Sequence, residues 1–226
     1  MTAIEQAAAP HLGAEVPRDR PWSGRLRILH RTSALILLAF LTLHMANHSA
    51  ALGGQARHVE FMAAVRPLYR NRVVEPVLLA LLAVQLLSGL AMIVRGWRRR
   101  RGVVAWAQAG SGLYLAAFLL NHVGSVLYGR AGLGLDTNFN FAAAGLHVPG
   151  LALFFAPYYF LAVAALFTHL GCAAYWATRS GNTRLSAGLL IGFSAAGAVF
   201  GLLVVAALSG SLYPVEIPEN YLRTYQ

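Results

Sequence analysis

Cysteine is nearly absent from this chain, and lysine is absent altogether. The one cysteine, Cys172, lies inside an apolar run, which excludes a disulfide framework, a thiolate metal cluster and a C-x-x-C-H attachment motif. Charge is scarce too: 12% of the 226 residues are charged and 58% are hydrophobic, whereas a soluble domain carries about a quarter charged residues. Such an excess of apolar surface belongs in lipid. Residues 1–24 are polar, contain Pro10, Pro17 and Pro21, and lack the apolar core of a cleaved signal peptide. The first hydrophobic helix is therefore expected to act as the insertion signal.

The formal net charge of +10 comes entirely from arginine, and these arginines flank apolar runs instead of forming a stripe for nucleic acid. Runs long enough to cross a hydrocarbon core of about 30 Å fall near residues 33–52, 73–94, 104–127, 150–178 and 186–209, the fourth being the longest. No β-barrel alternation is present. The expected fold is all-α: an integral membrane bundle of five transmembrane helices over residues 29–210, with a polar segment 1–28 before it and an external tail 211–226 after it.

Arginine also predicts orientation. Twelve arginines (Arg18, Arg20, Arg25, Arg27, Arg31, Arg95, Arg98, Arg99, Arg100, Arg101, Arg179, Arg184) lie on one side and six (Arg57, Arg66, Arg70, Arg72, Arg130, Arg223) on the other. The positive-inside rule then puts the N-terminus in the cytoplasm and the C-terminus outside, in an inner (cytoplasmic) membrane crossed several times. In the first external connection, Val59, Met62 and Val65 are spaced for a helix lying on the membrane surface. Residues 129–149, rich in Gly and Asn, read as an external loop.

Polar groups inside a span are costly and call for a partner or a role. His44, Gln85, His122 and His169 are such groups, one in each of the first four spans. His44 precedes Gly53 by nine residues and His122 precedes Arg130 by eight, so at 1.5 Å per residue each lies roughly 12 to 14 Å below the outer end of its helix. Gln85 and His169 each precede an arginine by ten residues, at a second level nearer the inner ends. Two neutral imidazoles facing each other at one depth make a natural axial pair for haem iron; interhelical hydrogen bonding and pore lining are the alternatives. His48, one turn beyond His44, is a rival ligand nearer the surface. Gly124, Gly171 and the run Gly110, Ser111, Gly112 could give a porphyrin room, or could serve helix packing alone.

Several of these residues together resemble a known family. His30, an apolar stretch, then His44, Asn47 and His48 look like the opening helix of the five-helix di-haem cytochrome b subunit that anchors succinate:quinone and quinol:fumarate oxidoreductases. Gln108, Gly112 and His122 look like its third span; Phe167, His169, Gly171 and Trp176 look like its fourth; Asn138 and Phe139 fit its external loop. The likeness covers residues 29–210. It implies a subunit of the succinate dehydrogenase and fumarate reductase type that passes electrons between a quinone pool and flavoprotein and iron-sulfur subunits on the cytoplasmic side, without catalysing the dicarboxylate reaction itself.

The resemblance implies haem b ligated by His44 and His122 at the outer level, and one ligand, His169, at the inner level. Where it calls for a second-helix histidine the chain has Gln85, followed by Gly89. One haem is therefore expected instead of two. The inner space is open to two readings: a quinone held with Gln85 and His169, or side-chain packing. His30, Arg31 and Ser33 could contact a haem propionate or a quinone oxygen, or anchor the helix at the interface. Glu75, beside Pro76, suits a helix N-terminus, with a proton-relay carboxylate as the functional alternative. Tyr158 and Tyr159 read as packing residues, and Tyr128, Tyr175 and Trp176 as interfacial aromatics. A haem-free membrane anchor of the same fold and a small transporter are the competing functions.

Overall fold

A computed structural model describes residues 21–225, so Arg18, Arg20 and most of the polar segment lie outside the described residues. Eight α-helices follow one another: α1 (Pro21–Ala50), α2 (Gln55–Tyr69), α3 (Val74–Gly96), α4 (Val103–Ala131), α5 (Phe139–Ala143), α6 (Ala152–Thr178), α7 (Thr183–Leu208) and α8 (Glu219–Leu222). No strand occurs among the described residues. Among the described residues, five helices (α1, α3, α4, α6 and α7) are long and apolar enough to cross a membrane.

The bundle is inside-out relative to a soluble one. Leu35, Leu87, Val94, Leu120 and Ile191 are each more than 60% exposed, while Ser33, Asn47, His58, Ser88, Ser111 and Ser186 are buried. Apolar faces turned outward and polar groups turned inward are what a lipid solvent selects.

The first helix starts earlier than its apolar run. α1 has 30 residues, about 45 Å of helix and more than the hydrocarbon core needs. Its polar first turns continue the helix because Pro is favoured at a first helical position and Arg is a good helix former. That makes α1, not the fourth span, the longest helix.

Gly54, at a φ of 116°, turns the chain sharply from α1 into α2. The inward face of α2 is His58 and Met62; Val59 is 37% exposed. Beside the stripe of Val59, Met62 and Val65, α2 turns His58 inward, where Asn47 of α1 offers it a hydrogen-bond partner.

Packing divides the spans into two groups. α6 and α7 lie against each other along most of their length, α4 packs on α6, and α1 packs on α3. Gly171, Gly197 and Gly201 explain the first contact: a Cβ on Gly201 would lie 3.0 Å from the Phe160 carbonyl oxygen, and one on Gly171 would lie 3.2 Å from that of Leu190. Between the α1–α3 pair and the α4–α6–α7 group the backbones approach sparsely, leaving a seam.

The densest core lies at one end. Ala51, Phe139, Ala143, Leu146, Val204, Ala207 and Leu208 are buried together, with Tyr213, Val215 and Ile217 packed against them. The loop after α4 and the tail after α7 therefore form a cap. Asn138 begins α5 by accepting from the Asn140 and Phe141 amides, Tyr213 donates to the Ala51 carbonyl at 2.6 Å, and Tyr221 donates to the Asp136 carbonyl at 3.1 Å. Arg130 and Glu75 form a two-armed ion pair joining the end of α4 to the start of α3. The opposite end carries the Arg95–Arg101 and Arg179–Arg184 stretches and is the arginine-rich end.

Candidate cofactor site and inner polar network

His44 on α1 and His122 on α4 reach toward each other across the seam, their ring centroids 6.0 Å apart and their planes at 62°. Each ring has an aromatic neighbour one turn earlier on its own helix: Phe40 stacks on His44 at 5.7 Å and Phe118 on His122 at 5.2 Å. Side chains four residues apart share a helix face, so each phenylalanine holds the plane of its histidine. Neither imidazole makes a hydrogen bond with another described residue.

Two more histidines extend this pair toward the capped end. His48 lies 4.9 Å from His44, and His58 lies 5.9 Å from His48. The Asn47 amide donates to His58 Nε2 at 3.0 Å, which puts the His58 proton on Nδ1. Burial, reinforced by the Arg66 guanidinium, lowers the His58 pKa to about 4 and keeps the ring neutral. His48 Nδ1, His58 Nδ1 and the Asn47 side-chain oxygen are buried without a partner among the described residues.

The separation of the outer pair is the one that haem iron would require. Two imidazoles flanking one metal at ~2 Å per bond have ring centres ~6 Å apart, and His44 and His122 have that separation. Both rings are free of competing hydrogen bonds, and the backbones on either side of the seam stay apart. Among the described residues, no group of three or more His, Cys, Asp or Glu side chains is arranged to hold a metal ion on protein ligands alone.

The inner level is built differently. Gln85 binds within its own helix pair: Ser33 donates to Gln85 Oε1 at 2.6 Å, and the Gln85 amide donates to His30 Nε2 at 3.0 Å. That fixes the His30 proton on Nδ1, from which it reaches Ser88 Oγ at 2.9 Å. The His30 ring fills the notch at Gly89, where an added Cβ would come within 3.1 Å of it. Arg31, on the same helix, is exposed and stands outside this network.

His169 belongs to the other helix group. Its Nδ1 lies 3.2 Å from the Gln108 carbonyl and 3.2 Å from Ser111 Oγ. A carbonyl only accepts, so Nδ1 carries the proton and Nε2 keeps its lone pair, the tautomer that a metal-binding or proton-accepting imidazole needs. No other aromatic or imidazole ring of the described residues contacts it. Its ring occupies the notch at Gly112, 3.0 Å from where a Cβ would stand. Thus Gly112 makes room for an imidazole and Gly171 for α7, whereas Gly110 and Gly124 have nothing within 4 Å of a built Cβ.

His58 and Ser88 are parts of these networks that the sequence reading passes over. His58 shares a face with Met62 four residues on, and Ser88 shares one with Gln85 three residues back; those intervals were the available signals. Tyr158 accepts from the Asn121 amide at 2.9 Å, and Tyr159 donates to the Ala142 carbonyl at 3.0 Å, so both pack and bond at once.

Comparison with models of known families, with curated proteins and with solved structures finds no match to this chain.

Proposed function

We propose that the chain is a membrane-embedded b-type haem subunit of the succinate dehydrogenase and fumarate reductase type, with one haem between His44 and His122, passing electrons between a quinone pool and a partner protein. The observation that carries the reading is the pair of imidazoles, 6.0 Å apart and without hydrogen bonds among the described residues, meeting across the seam. Bound haem b supplies reversible one-electron chemistry at iron. His44 and His122 would hold it, with Phe40 and Phe118 setting the ring planes.

The inner network suits a quinone head. Gln85 keeps a second amide N–H beyond the one it gives His30, and His169 Nε2 offers a proton acceptor on the other side. Arginine asymmetry supports an N-terminus in the cytoplasm of a cell with an inner membrane, with flavoprotein and iron-sulfur subunits at the arginine-rich end.

The test is a pyridine haemochrome assay with reduced-minus-oxidised spectra on detergent-purified protein. The reading expects about one low-spin b-haem per chain in the wild type and loss of the spectrum in His44→Ala and in His122→Ala. An unchanged spectrum in both variants would overturn it.

A second reading is a haem-free membrane anchor of the same fold. It is favoured by Gln85, which stands where the family resemblance calls for a ligand and spends its amide on Ser33 and His30. Colourless protein after expression with ample haem, still co-purifying with soluble subunits, would select it.

A further inference from the structure

At the capped end, beside the last turn of α2, an open groove of about 640 Å³ is lined by Arg66, Pro67, Arg70, Arg130 and Asp136. Three guanidiniums carry up to five N–H donors each, and two carboxylates are there to receive them. Asp136 takes Arg66 at 2.9 Å and Arg70 at 3.6 Å; Glu75 takes Arg130 through both arms. Donors remain in excess. Arg66 Nη2 divides itself between Asp136 Oδ2 at 3.4 Å and the thioether sulfur of Met62 at 3.0 Å, a weak acceptor. Among the described residues, the one ion pair of Arg70 is its long contact to Asp136 at 3.6 Å, with Glu75 near enough to feel its charge.

The three arginines outnumber the two carboxylates, so the cluster is net positive, and its arginine side chains are only 24–29% exposed. Partial burial strengthens charge-assisted bonds to an anion with several oxygens. Next to the groove, Leu68 is 62% exposed and Val73 is 72% exposed, at the level where α2 meets the start of α3. Basic forks beside exposed aliphatic side chains match a ligand with a phosphate head and a hydrocarbon tail.

We infer that this groove binds the phosphate of an anionic phospholipid, with Arg70 as its principal donor, Arg66 and Arg130 as flanking donors, and Asp136 holding Arg66 and Arg70 in place. Leu68 and Val73 lie along the acyl chains. The lipid ties α2, the end of α4 and the loop after it together at the membrane surface. The site is independent of haem at the seam.

The experiment uses the full chain in mixed micelles of equal dioleoyl-phosphatidylcholine and dioleoyl-phosphatidylglycerol, with retained lipid counted by native mass spectrometry. The wild type is expected to retain one phosphatidylglycerol with at least a fivefold preference, Arg70→Gln to bring the preference near unity, and Arg70→Lys to keep part of it. Arg57→Gln, on α2 but outside the groove, leaves it unchanged. Leu68→Ser, at an exposed position that folding tolerates, lowers retention severalfold. No wild-type preference, or equal preference in Arg70→Gln, would overturn the inference. Complete displacement of the lipid by millimolar inorganic phosphate, with Leu68→Ser behaving as wild type, would also overturn it, since the site would then serve free phosphate.

Discussion

Ser33 donates its hydroxyl to the Gln85 side-chain oxygen at 2.6 Å, so α1 and α3 are locked at the level where the family resemblance would place a haem ligand. The bond is one of a linked set with His30 and Ser88. Gln85→Leu removes a partner from both Ser33 and His30 and is expected to cost about 1–2 kcal/mol, within the range of interhelical bonds in membranes. In a double-mutant cycle with Ser33→Ala, measured by denaturation in mixed micelles, the two losses should fall short of additive; strict additivity would mean that the bond does not couple the helices.

His169 should be dispensable for haem at the seam. Its Nδ1 faces the Gln108 carbonyl, and the imidazole nearest it across the seam, His30, has both ring nitrogens bonded to Gln85 and Ser88. His169→Ala is expected to leave haem per chain within about 20% of wild type while slowing quinol oxidation by at least tenfold, as loss of a proton acceptor does. Loss of half or more of the haem in this variant would move the ligand assignment to the inner level.

The α6–α7 contact predicts opposite outcomes for two glycines on one helix. Gly201→Ala drives a methyl against the Phe160 carbonyl, 3.0 Å away, whereas Gly192 has nothing within 4 Å of an added Cβ. Gly201→Ala should destabilise by about 1–3 kcal/mol, the ordinary cost of overpacking, and Gly192→Ala should be neutral. Thermal denaturation in detergent separates the two.

His58 predicts a pH dependence. Its ordinary pKa is 6.5, and burial lowers it to about 4 in the fold. Between those values the unfolded chain binds a proton that the folded chain refuses, so stability rises with pH across this window. The contribution is complete above pH 6.5, falls as the pH drops toward 4 and is level below that, amounting to at most ~3 kcal/mol. The stability difference between wild type and His58→Gln should therefore shrink as the pH falls from 7 to 4.5; a difference independent of pH would contradict it.

Asn138 caps α5, accepting from two backbone amides at its first turn. Asn138→Ala should cost about 1 kcal/mol and increase amide exchange at Phe139–Ala143, where the cap of the bundle begins.

The five spans were legible because hydropathy is a local property, and the depths of His44 and His122 could be counted from glycine and arginine at the helix ends. The start of α1 was not, since polar residues such as Arg25 and Arg27 extend a helix as readily as they end an apolar run. α5 and the tail around Tyr213 and Tyr221 owe their form to contacts with Ala51 and Asp136, distant in the chain, and no short window reveals such partners. The inward turn of His58 was hidden for the same reason: its partner Asn47 lies on another helix, and apolar periodicity is blind to that. Gln85 stood out as a polar group inside a span, but its partners, Ser33 and His30, emerge only when α1 and α3 are laid together.

The seam between the two helix groups bears on how such a protein is made. The α1–α3 pair has its own serine, glutamine and histidine clasps, and α4–α6–α7 has its own glycine contacts. Each half therefore has internal clasps of its own, and the cap joins them through Ala51 against Val204 and Leu208 and through the Arg130–Glu75 pair. Biogenesis then resembles the shutting of a book: the two covers carry their own clasps, and the spine at the capped end, Ala51 against Val204 and Leu208, closes as they meet.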